Sequence, residues 1–572
     1  MSRTAVNPKW WKEAVIYQIY PYSFKDSTNT GTGDLNGITS KLPYLRDLGV
    51  DVVWLSPIYA SPMKDMGYDI SDYRAINPEM GTLADWDLLC QTTHELGMKL
   101  VMDLVVNHTS DEHEWFKESK RGKNSPKRDW YIWHTGKNGK EPNNWGAIFG
   151  GSAWEIDPPS KEYYCHVFDV SQPDLNWENQ EVRDAVWDVM RFWLERGCDG
   201  FRMDVINCIS KTPGWPDAPI TNEKEEFQFG LVHRFNGPRV TDYLNEMHEK
   251  VLCKYPNAFT VGETPGIKVP EDAIALIRHG KPLQMLFNFE HMYMDVESGK
   301  KIFYHRDWKL TDLKAILGGW FSYMQDHDGW DSLYLENHDQ PRIVQRWASA
   351  APEHRTHAAK MLAIFHATGR GTLFIYQGQE IGSANSPSWT YEELKDVEEI
   401  NYYDEELRKR GKNANMSDVL AAIQMGGRDN ARMPMSWSGD ANAGFSDGSV
   451  TPWIKVCEDY KEWNVAIQQE NPDSVLEFWR QLLKLRKEHK GLIYGWFELV
   501  DEKNEQVYAY RRTDDKAQYL VICNFSAEKI VWESPIEEMG SLLLGSHDNT
   551  SDFGSKMTLS PYEGRLYMKR HA

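Results

Sequence analysis

The chain has 572 residues, of which 41% are hydrophobic and 26% charged, a composition typical of a globular protein with more than one structural unit. Its formal net charge of -21 repels nucleic-acid phosphates and anionic membrane surfaces alike. No apolar run approaches the roughly 18 residues that a membrane span requires. We therefore expect neither a nucleic acid nor a membrane as a partner.

The N-terminal sequence and the cysteines indicate the cellular compartment of the protein. The N-terminal sequence MSRTAVNPKWWKEAV has no apolar stretch of the kind found in cleaved signal peptides. The seven cysteines are an odd number, are dispersed, and have neither a CxxC pair nor a metal-ligand spacing. These features predict reduced thiols in a cytoplasmic protein, and we expect a monomer or a weak homo-oligomer.

Short β-rich runs recur along the chain, and each is followed by a helical pattern, which is typical of βα units with a parallel sheet. The eight candidate strands are Ala14–Tyr20, Val50–Leu55, Lys99–Asp103, Gly200–Asp204, Phe259–Gly262, Leu283–Asn288, Ser332–Glu336 and Thr372–Gln377. Eight such units predict an α/β fold, a closed (β/α)8 TIM barrel.

Two stretches interrupt this alternation. After Asp103 the sequence is polar and rich in Trp and Gly until helical periodicity resumes near Glu181, which predicts a small inserted domain after the third strand. From about Lys490 onward, alternating strands such as VYAYRR and YLVICNF predict a C-terminal antiparallel β-sandwich. The predicted domains are a barrel at 1–105 and 178–489, an inserted domain at 106–177, and a C-terminal domain at 490–572. The acidic, helical segment 383–415 is predicted to form a long loop after the eighth strand.

Ionisable residues lie where four of the predicted strands end, the position at which barrel enzymes carry their catalytic side chains. They are Asp103, then Arg202 and Asp204, then Glu263, and finally His338 and Asp339. Several carboxylates that converge on one barrel mouth are what glycoside hydrolysis requires. One ionised carboxylate attacks the anomeric carbon, and one protonated carboxyl group donates to the leaving oxygen.

The neighbours of each carboxylate predict its role. Arg202 lies two residues before Asp204, so both side chains leave the strand on one face and the guanidinium favours the ionised nucleophile. Glu263 is flanked only by Gly262 and Thr264, so no neighbour in sequence stabilises its charge, and it is predicted to be the proton donor. Asp339 would support positive charge in the transition state. For Asp103 two roles stay open, satisfying buried backbone groups or contacting the sugar.

The segments that carry these residues resemble a known family. DLVVNH, GFRMDVIN, GETPG and LENHDQPR are similar to the four signature regions of glycoside hydrolase family 13, the α-amylase family. QPDLNW at 172–177 is similar to the extra region of its oligo-1,6-glucosidase, maltase and isomaltase group, and the resemblance extends from Lys9 to EGRLY near the C-terminus.

The resemblance implies a retaining mechanism in which Asp204, Glu263 and Asp339 are nucleophile, acid/base and stabiliser. It also implies an exo-acting α-glucosidase, because Asp65 and Arg432 would bind the non-reducing end of the substrate. The expected partner is therefore a short oligosaccharide. The implied glucose pocket consists of Asp65, Tyr68, His108, Phe168, Gln172, Arg202, His338 and Arg432.

Two positions and one loop are informative within this group. Val205, directly after the nucleophile, is similar to members that cleave α-1,6 bonds, and one β-branched side chain there is worth roughly 1–3 kcal/mol of discrimination. Ile148 stands where relatives often carry an aromatic residue against the leaving sugar. In the calcium loop of the group, Asp26 and Asp34 remain, but Thr28 and Thr30 replace the middle ligands. A hard cation needs more carboxylate and carbonyl oxygens, so we expect no required metal or other cofactor.

Other functions stay open at this point. The same covalent intermediate could pass glucose to another sugar, as in a glucosyltransferase or a sucrose isomerase, or the enzyme could prefer maltose or sucrose. The Arg-Leu-Asp-Arg-Asp loop associated with the isomerases is absent, because the segment before Trp308 reads KKIFYHRD. Amino-acid transporter heavy chains share the barrel without catalysis, but they carry a transmembrane helix and usually lack the full carboxylate set. We therefore expect an enzyme.

Overall fold

The computed structural model of the chain describes residues 8–277, 281–297, 300–548, 550 and 552–571. The first seven residues, part of the N-terminal segment considered above for secretion, lie outside this range. Among the residues described, no helix is both long and apolar enough to cross a membrane. All seven cysteines are free thiols, and five of them are buried.

Eight parallel strands form the central sheet, and each side chain of the first four is buried or nearly so. The strands are Val15–Ile19, Val52–Leu55, Lys99–Val105, Gly200–Asp204, Phe259–Glu263, Met285–Phe287, Ser332–Leu333 and Thr372–Tyr376. Their order across the sheet is sixth, fifth, fourth, third, second, first, eighth, seventh. The Ser332 hydroxyl donates to the Leu286 carbonyl at 2.8 Å and so joins the seventh strand to the sixth. The sheet therefore closes as a TIM barrel, and this prediction is confirmed.

Helices follow the strands and cover the outside of the barrel. The main ones are Leu35–Leu48, Leu83–Glu95, Gln180–Arg196, Val240–Lys250, Pro270–Ile277, Leu310–Asp326, Arg355–Ala367 and Val475–Glu488. Their ends follow from local chemistry. The helix after the first strand begins where the Asp34 side chain accepts from the Gly37 N–H, and it ends at Gly49, whose φ of 106° is in the left-handed region.

Further helices, most of them short, lie outside this outer layer. The α-helices are Trp10–Glu13, Glu114–Ser119, Leu231–Arg234, Glu290–Tyr293, Ile343–Trp347, Val397–Arg410, Ser417–Gly426, Asp429–Arg432, Val465–Gln469 and Gly491–Tyr494. The 3-10 helices are Pro21–Ser23, Arg128–Trp130, Ile206–Cys208, Leu252–Lys254, Gln379–Ile381, Tyr391–Glu393 and Ala441–Gly444. The helices from 391 to 432 form a large excursion after the eighth strand, within and beyond the long loop that was predicted there.

The segment between the third strand and the next barrel helix contains a small antiparallel sheet. Its strands are Trp133–His134, Glu162–Cys165 and Trp154–Asp157, in that spatial order. A further hairpin, Tyr59–Ala60 with Asp72–Ile76, follows the second strand. The apolar core of the inserted segment includes Trp145 and Trp154, and it also includes Val205, the residue directly after Asp204. The segment thus packs against the end of the fourth strand, and its exact limits stay predictions.

Two antiparallel sheets form the C-terminal unit. One has five strands in the order Trp496–Val500, Val507–Thr513, Ala517–Asn524, Gly564–Arg570 and Ser541–Gly545, and the other pairs Ile530–Glu533 with Lys556–Leu559. Apolar side chains from both sheets, such as Ile522 and Trp532, share one core. The buried guanidinium of Arg512 donates to the carbonyls of Thr368 and Gly495, which ties this unit to the barrel. The predicted β-sandwich is confirmed.

Candidate active site

One buried guanidinium organises the carboxylates at the mouth of the barrel. Arg202 Nη1 donates to Asp103 Oδ1 at 2.8 Å and to Asp204 Oδ1 at 2.9 Å, and Nη2 donates to Glu263 Oε2 at 2.6 Å. Arg202 is 1% exposed, and Asp204 and Glu263 are each 7% exposed. The parallel strands bring these side chains together because the third, fourth and fifth strands are hydrogen-bonded neighbours in register.

Asp103 lies on the inner side of this cluster and is held by three donors. Besides Arg202, its carboxylate accepts hydrogen bonds from the Tyr68 hydroxyl at 3.2 Å and from the Trp54 indole N–H at 3.3 Å. The residue is 1% exposed. Of the two roles left open by the sequence, this geometry favours holding Arg202 in place over contact with the sugar.

Val205 has an unusual backbone conformation, with φ 33° and ψ 42° in the left-handed region. A β-branched residue rarely adopts this conformation, which costs on the order of 1–3 kcal/mol and is found mostly at functional sites. Here the turn directs the Val205 N–H toward Glu263, and Glu263 Oε2 accepts from it at 3.0 Å. The strained residue therefore fixes the position of the Glu263 carboxylate relative to Asp204.

The charges around Glu263 and Asp204 differ from what their sequence neighbours suggest. No sequence neighbour of Glu263 stabilises its charge, but two groups distant in sequence, Arg202 and the Val205 N–H, both donate to it. Burial raises the pKa of Asp204 well above its ordinary value, the attraction of Arg202 opposes this rise, and the Glu263 and Asp103 carboxylates add to it. One guanidinium carries a single positive charge and cannot neutralise three carboxylates, so Asp103, Asp204 and Glu263 compete for it.

A second cluster of charges lies across the mouth, around Asp339. Its Oδ1 atom accepts from Arg428 Nη1 at 3.1 Å and from Arg432 Nη2 at 3.0 Å, and its Oδ2 atom lies 3.0 Å from His338 Nε2. The same two guanidinium groups each contact Asp396 Oδ2 at 2.7 Å, and Asp396 is fully buried. The two arginines are therefore clamped between two carboxylates.

This second cluster keeps Asp339 ionised. Burial by itself would raise the pKa of the Asp339 carboxyl, but the contact with His338 Nε2 and the positive charges of Arg428 and Arg432 outweigh it and hold the pKa below its ordinary value. Burial lowers the pKa of His338 to about 3, so this imidazole is neutral at physiological pH. Its Nδ1 atom lies 2.9 Å from Gln18 Nε2, which fixes the ring. Asp339 is thus a permanent negative charge that faces the pocket.

A hydrogen-bonded group lines the side of the mouth that carries Asp65. Gln172 Nε2 lies 2.8 Å from Asp65 Oδ2 and 3.2 Å from His108 Nε2, and the same His108 nitrogen lies 3.2 Å from the Tyr68 carbonyl. Burial raises the pKa of Asp65 to about 7, although Arg428 and Arg432 lower it. Burial lowers the pKa of His108 to about 4. Asp65 therefore changes charge near neutral pH, and His108 stays neutral.

Aromatic rings complete the walls. Tyr68 stacks on His338 with ring centroids 5.1 Å apart and an angle of 6° between the planes. Phe168 packs against His108 at 5.2 Å and against Phe149 at 5.9 Å. Such faces suit the apolar C–H surface of a pyranose ring.

The structure brings every predicted site residue into one connected group of contacts. The sequence-based set omitted Arg428, Asp396 and Gln18, which hold Asp339 and His338. Two signals could have found them. Arg428 lies four residues before Arg432, on the same face of a helical turn. Gln18 is a polar residue within the otherwise apolar first strand, where a buried amide needs a partner.

The loop around Asp26 and Asp34, whose sequence resembles the calcium loop of the group, has few free oxygens. The Asp26 carboxylate accepts from the backbone N–H groups of Thr28, Asn29, Thr30 and Gly31. Asp34 accepts from Ser27 and from the helix N–H of Gly37. In the described part of the chain, no group of three or more His, Cys, Asp or Glu side chains could hold a metal. Two carboxylates with this many donors do not fit a cation that takes six to eight oxygens.

Comparison with known proteins places the chain in a family. Residues 18–495 match the model of the α-amylase catalytic domain, and residues 497–566 match that of the maltogenic amylase C-terminal domain. The chain belongs to the α-amylase family. It is therefore a glycoside hydrolase, and the resemblance noted in its signature regions is confirmed.

Individual members of the α-amylase family resemble the chain over nearly its whole length. An oligo-1,6-glucosidase from Parageobacillus thermoglucosidasius is 48% identical, over 98% of this chain and 99% of that protein. The solved structure of an isomaltulose synthase from Erwinia rhapontici matches with a TM-score of 0.93 and 39% identity, over 99% of this chain and 100% of the other. A trehalose-6-phosphate hydrolase from Bacillus licheniformis matches with a TM-score of 0.91 and 41% identity, over 98% and 100%.

Proposed function

We propose that this glycoside hydrolase is a retaining, exo-acting α-glucosidase that releases α-glucose from the non-reducing end of short α-glucosides and accepts α-1,6 bonds. The observation that carries the proposal is the set of hydrogen bonds from one buried guanidinium, Arg202, to both Asp204 and Glu263. A shared guanidinium keeps the two carboxyl groups close, which favours a retaining mechanism over an inverting one, where water must fit between them.

In the proposed reaction, Asp204 attacks the anomeric carbon while Glu263 donates its proton to the glycosidic oxygen. The glycosidic bond breaks as the glucosyl–Asp204 ester forms, and the leaving sugar departs with the proton. Glu263, now ionised, takes a proton from water, which attacks the anomeric carbon on the face opposite the ester. The bond from this carbon to the Asp204 oxygen breaks, which frees the carboxylate and releases α-glucose. This step requires a protonated Glu263 and an ionised Asp204, so the rate depends on the fraction of enzyme in that form. Asp339, held ionised by Arg428 and Arg432, stabilises positive charge at the anomeric centre.

The proposed exo action depends on what closes the pocket. Arg428 and Arg432 lie between Asp339 and Asp396, and Arg428 Nη2 lies 3.9 Å from Asp65 Oδ1. These charged side chains would bind the hydroxyls of one terminal glucose and leave no path for a longer chain. The name of the Parageobacillus relative and the identity of Val205 support the α-1,6 preference.

Transfer of glucose to another sugar is the second candidate. The isomaltulose synthase from Erwinia rhapontici and this chain share a fold with a TM-score of 0.93, and the same glucosyl ester would serve both reactions. Whether water or a sugar takes the glucose is decided on the leaving-group side of the pocket. We propose hydrolysis as the main reaction in dilute sugar and transfer at high sugar. We also propose that the enzyme acts in the cytoplasm on small oligosaccharides, as a monomer or a weak homo-oligomer without a required metal.

A rate panel tests the substrate, and NMR tests the mechanism. We expect isomaltose to be hydrolysed at least as well as maltose, sucrose, nigerose, trehalose or trehalose 6-phosphate, with α-glucose as the first anomer seen by NMR. Asp204→Asn should lower kcat by roughly 10⁴-fold or more, as losses of catalytic nucleophiles do. Release of β-glucose would overturn the retaining mechanism, and turnover of maltose alone would overturn the α-1,6 preference.

A further inference from the structure

Two consecutive backbone carbonyls of the inserted segment are held by side chains from distant parts of the chain. Lys301 Nζ donates to the Ile148 carbonyl at 2.7 Å, and Asn401 Nδ2 donates to the Phe149 carbonyl at 3.1 Å. Lys301 Nζ also donates to Glu398 Oε1 at 3.1 Å. We call these two donors and two carbonyls the carbonyl clasp.

The donors of the carbonyl clasp come from a packed unit. Phe303, two residues after Lys301, is 2% exposed and lies in an apolar cluster with Trp389 and Ile423. Glu398 and Asn401 belong to the helix Val397–Arg410, which packs on the same cluster. Neither donor is therefore a freely moving surface side chain, and the Lys301 ammonium is held by an ion pair of its own.

The side chains of the two clasped residues, Ile148 and Phe149, contact parts of the active site. The Arg428 guanidinium lies over the Phe149 ring, 5.1 Å from its centroid. Ile148 packs in the apolar cluster that contains Phe168 and Val205. A shift of the two carbonyls would therefore move Phe149, which touches Arg428, and Ile148, which packs in the same cluster as Val205.

We propose that Lys301 and Asn401 are positioning residues that set the leaving-group side of the pocket through the carbonyl clasp. The proposal rests on the proposed α-glucosidase function. The clasp holds the backbone of Ile148 and Phe149, whereas the glucose-binding side chains are held by other contacts, namely Gln172 with Asp65 and Arg432 with Asp339. Arg428, which touches Phe149, is itself held by Asp339 and Asp396. Loss of the clasp consequently weakens binding of the leaving group and leaves the glucose subsite intact.

The test compares Lys301→Met with the wild-type enzyme on p-nitrophenyl α-glucoside, whose aryl group occupies the leaving-group side. We expect KM to rise about tenfold and kcat to change less than about threefold, since a hydrogen bond from a charged, partly exposed donor is lost. The inhibition constant of deoxynojirimycin, a glucose-shaped amine, should stay within about twofold. Asn401→Leu should move KM in the same direction by a smaller factor, because its hydrogen bond is neutral.

Matched variants distinguish loss of the carbonyl clasp from general damage to the folded enzyme. Lys300→Met removes the neighbouring exposed ammonium, which lies over the Tyr304 ring, and should leave KM unchanged. Lys301→Arg keeps a charged donor and should restore most of the loss. Unchanged KM in both Lys301→Met and Asn401→Leu overturns the proposal, and so does an equal rise of KM and of the deoxynojirimycin constant. Release of glucose from isomaltose by the wild-type enzyme tests the proposed function separately, so either idea can fail alone.

Discussion

Arg202→Met should lower kcat/KM for p-nitrophenyl α-glucoside by about three orders of magnitude. The guanidinium donates to Asp103, Asp204 and Glu263 at 2.8, 2.9 and 2.6 Å, and methionine keeps most of its length without the charge. Two unit charges about 4 Å apart interact by about 4 kcal/mol at an effective dielectric constant of about 20. Loss of one such interaction at the nucleophile corresponds to about 10³ in rate, because each factor of ten is about 1.4 kcal/mol.

The same substitution should change the pH dependence in a defined direction. Arg202 lowers the pKa of Asp204 and of Asp103, against the effect of burial, so its removal raises both further. Asp204 then becomes the ionised nucleophile only at higher pH, and the rate ratio of variant to wild type should improve as pH rises from about 5 to 8. Carboxyl groups with raised pKa bind more protons in the folded than in the unfolded protein. The relative stability of the variant should therefore fall over the same range.

The assay is kcat/KM across that pH range, with thermal unfolding measured at both ends. Arg121→Met is the matched control, because Arg121 is 71% exposed and pairs only with Glu118 among the contacts described. Activity of Arg202→Met within tenfold of the wild type, with a parallel pH profile, would refute the idea that this guanidinium sets the charge of the catalytic pair.

Three further predictions concern single positions. Asp65 has a pKa of about 7 and should bind sugar hydroxyls as a carboxylate, so the inhibition constant of glucose should fall by up to about tenfold between about pH 6 and 8. Asp65→Asn should abolish that pH dependence. A wild-type inhibition constant that does not change with pH would contradict the role given to Asp65. Val205→Thr should lower the ratio of isomaltose to maltose turnover by about 10-fold or more, measured by competition, and an unchanged ratio would remove Val205 from the specificity argument. Activity should survive exhaustive chelation, because Asp26 already accepts four backbone N–H groups; loss restored by calcium would contradict this.

The barrel strands were predictable because both faces of a parallel sheet are buried, so each strand is a short apolar run. The fourth strand, Gly200–Asp204, was predicted with its observed limits. The seventh was predicted as Ser332–Glu336 but pairs only over Ser332–Leu333, since the chain then turns toward the mouth. An apolar run indicates which residues are buried, but it does not indicate where hydrogen bonding to the next strand ends.

The carboxylates at the strand ends were predictable for a related reason. The alternation of a strand places Arg202 and Asp204 on one face, and parallel strands deliver their last residues to one edge. The backbone conformation of Val205 could not be predicted in this way. Nothing in its identity indicates a left-handed backbone, and its N–H reaches Glu263 only because of that conformation.

The sequence by itself determined the kind of fold and the chemistry available at the mouth, because periodicity and strand-end residues are local properties of the chain. Only the tertiary structure decided how the charges are shared. It places one guanidinium among three carboxylates, and it adds Arg428 and Asp396 from the excursion after the eighth strand. The state of a buried carboxyl group depends on every charge within a few ångströms, and those charges come from residues that lie far apart in the chain.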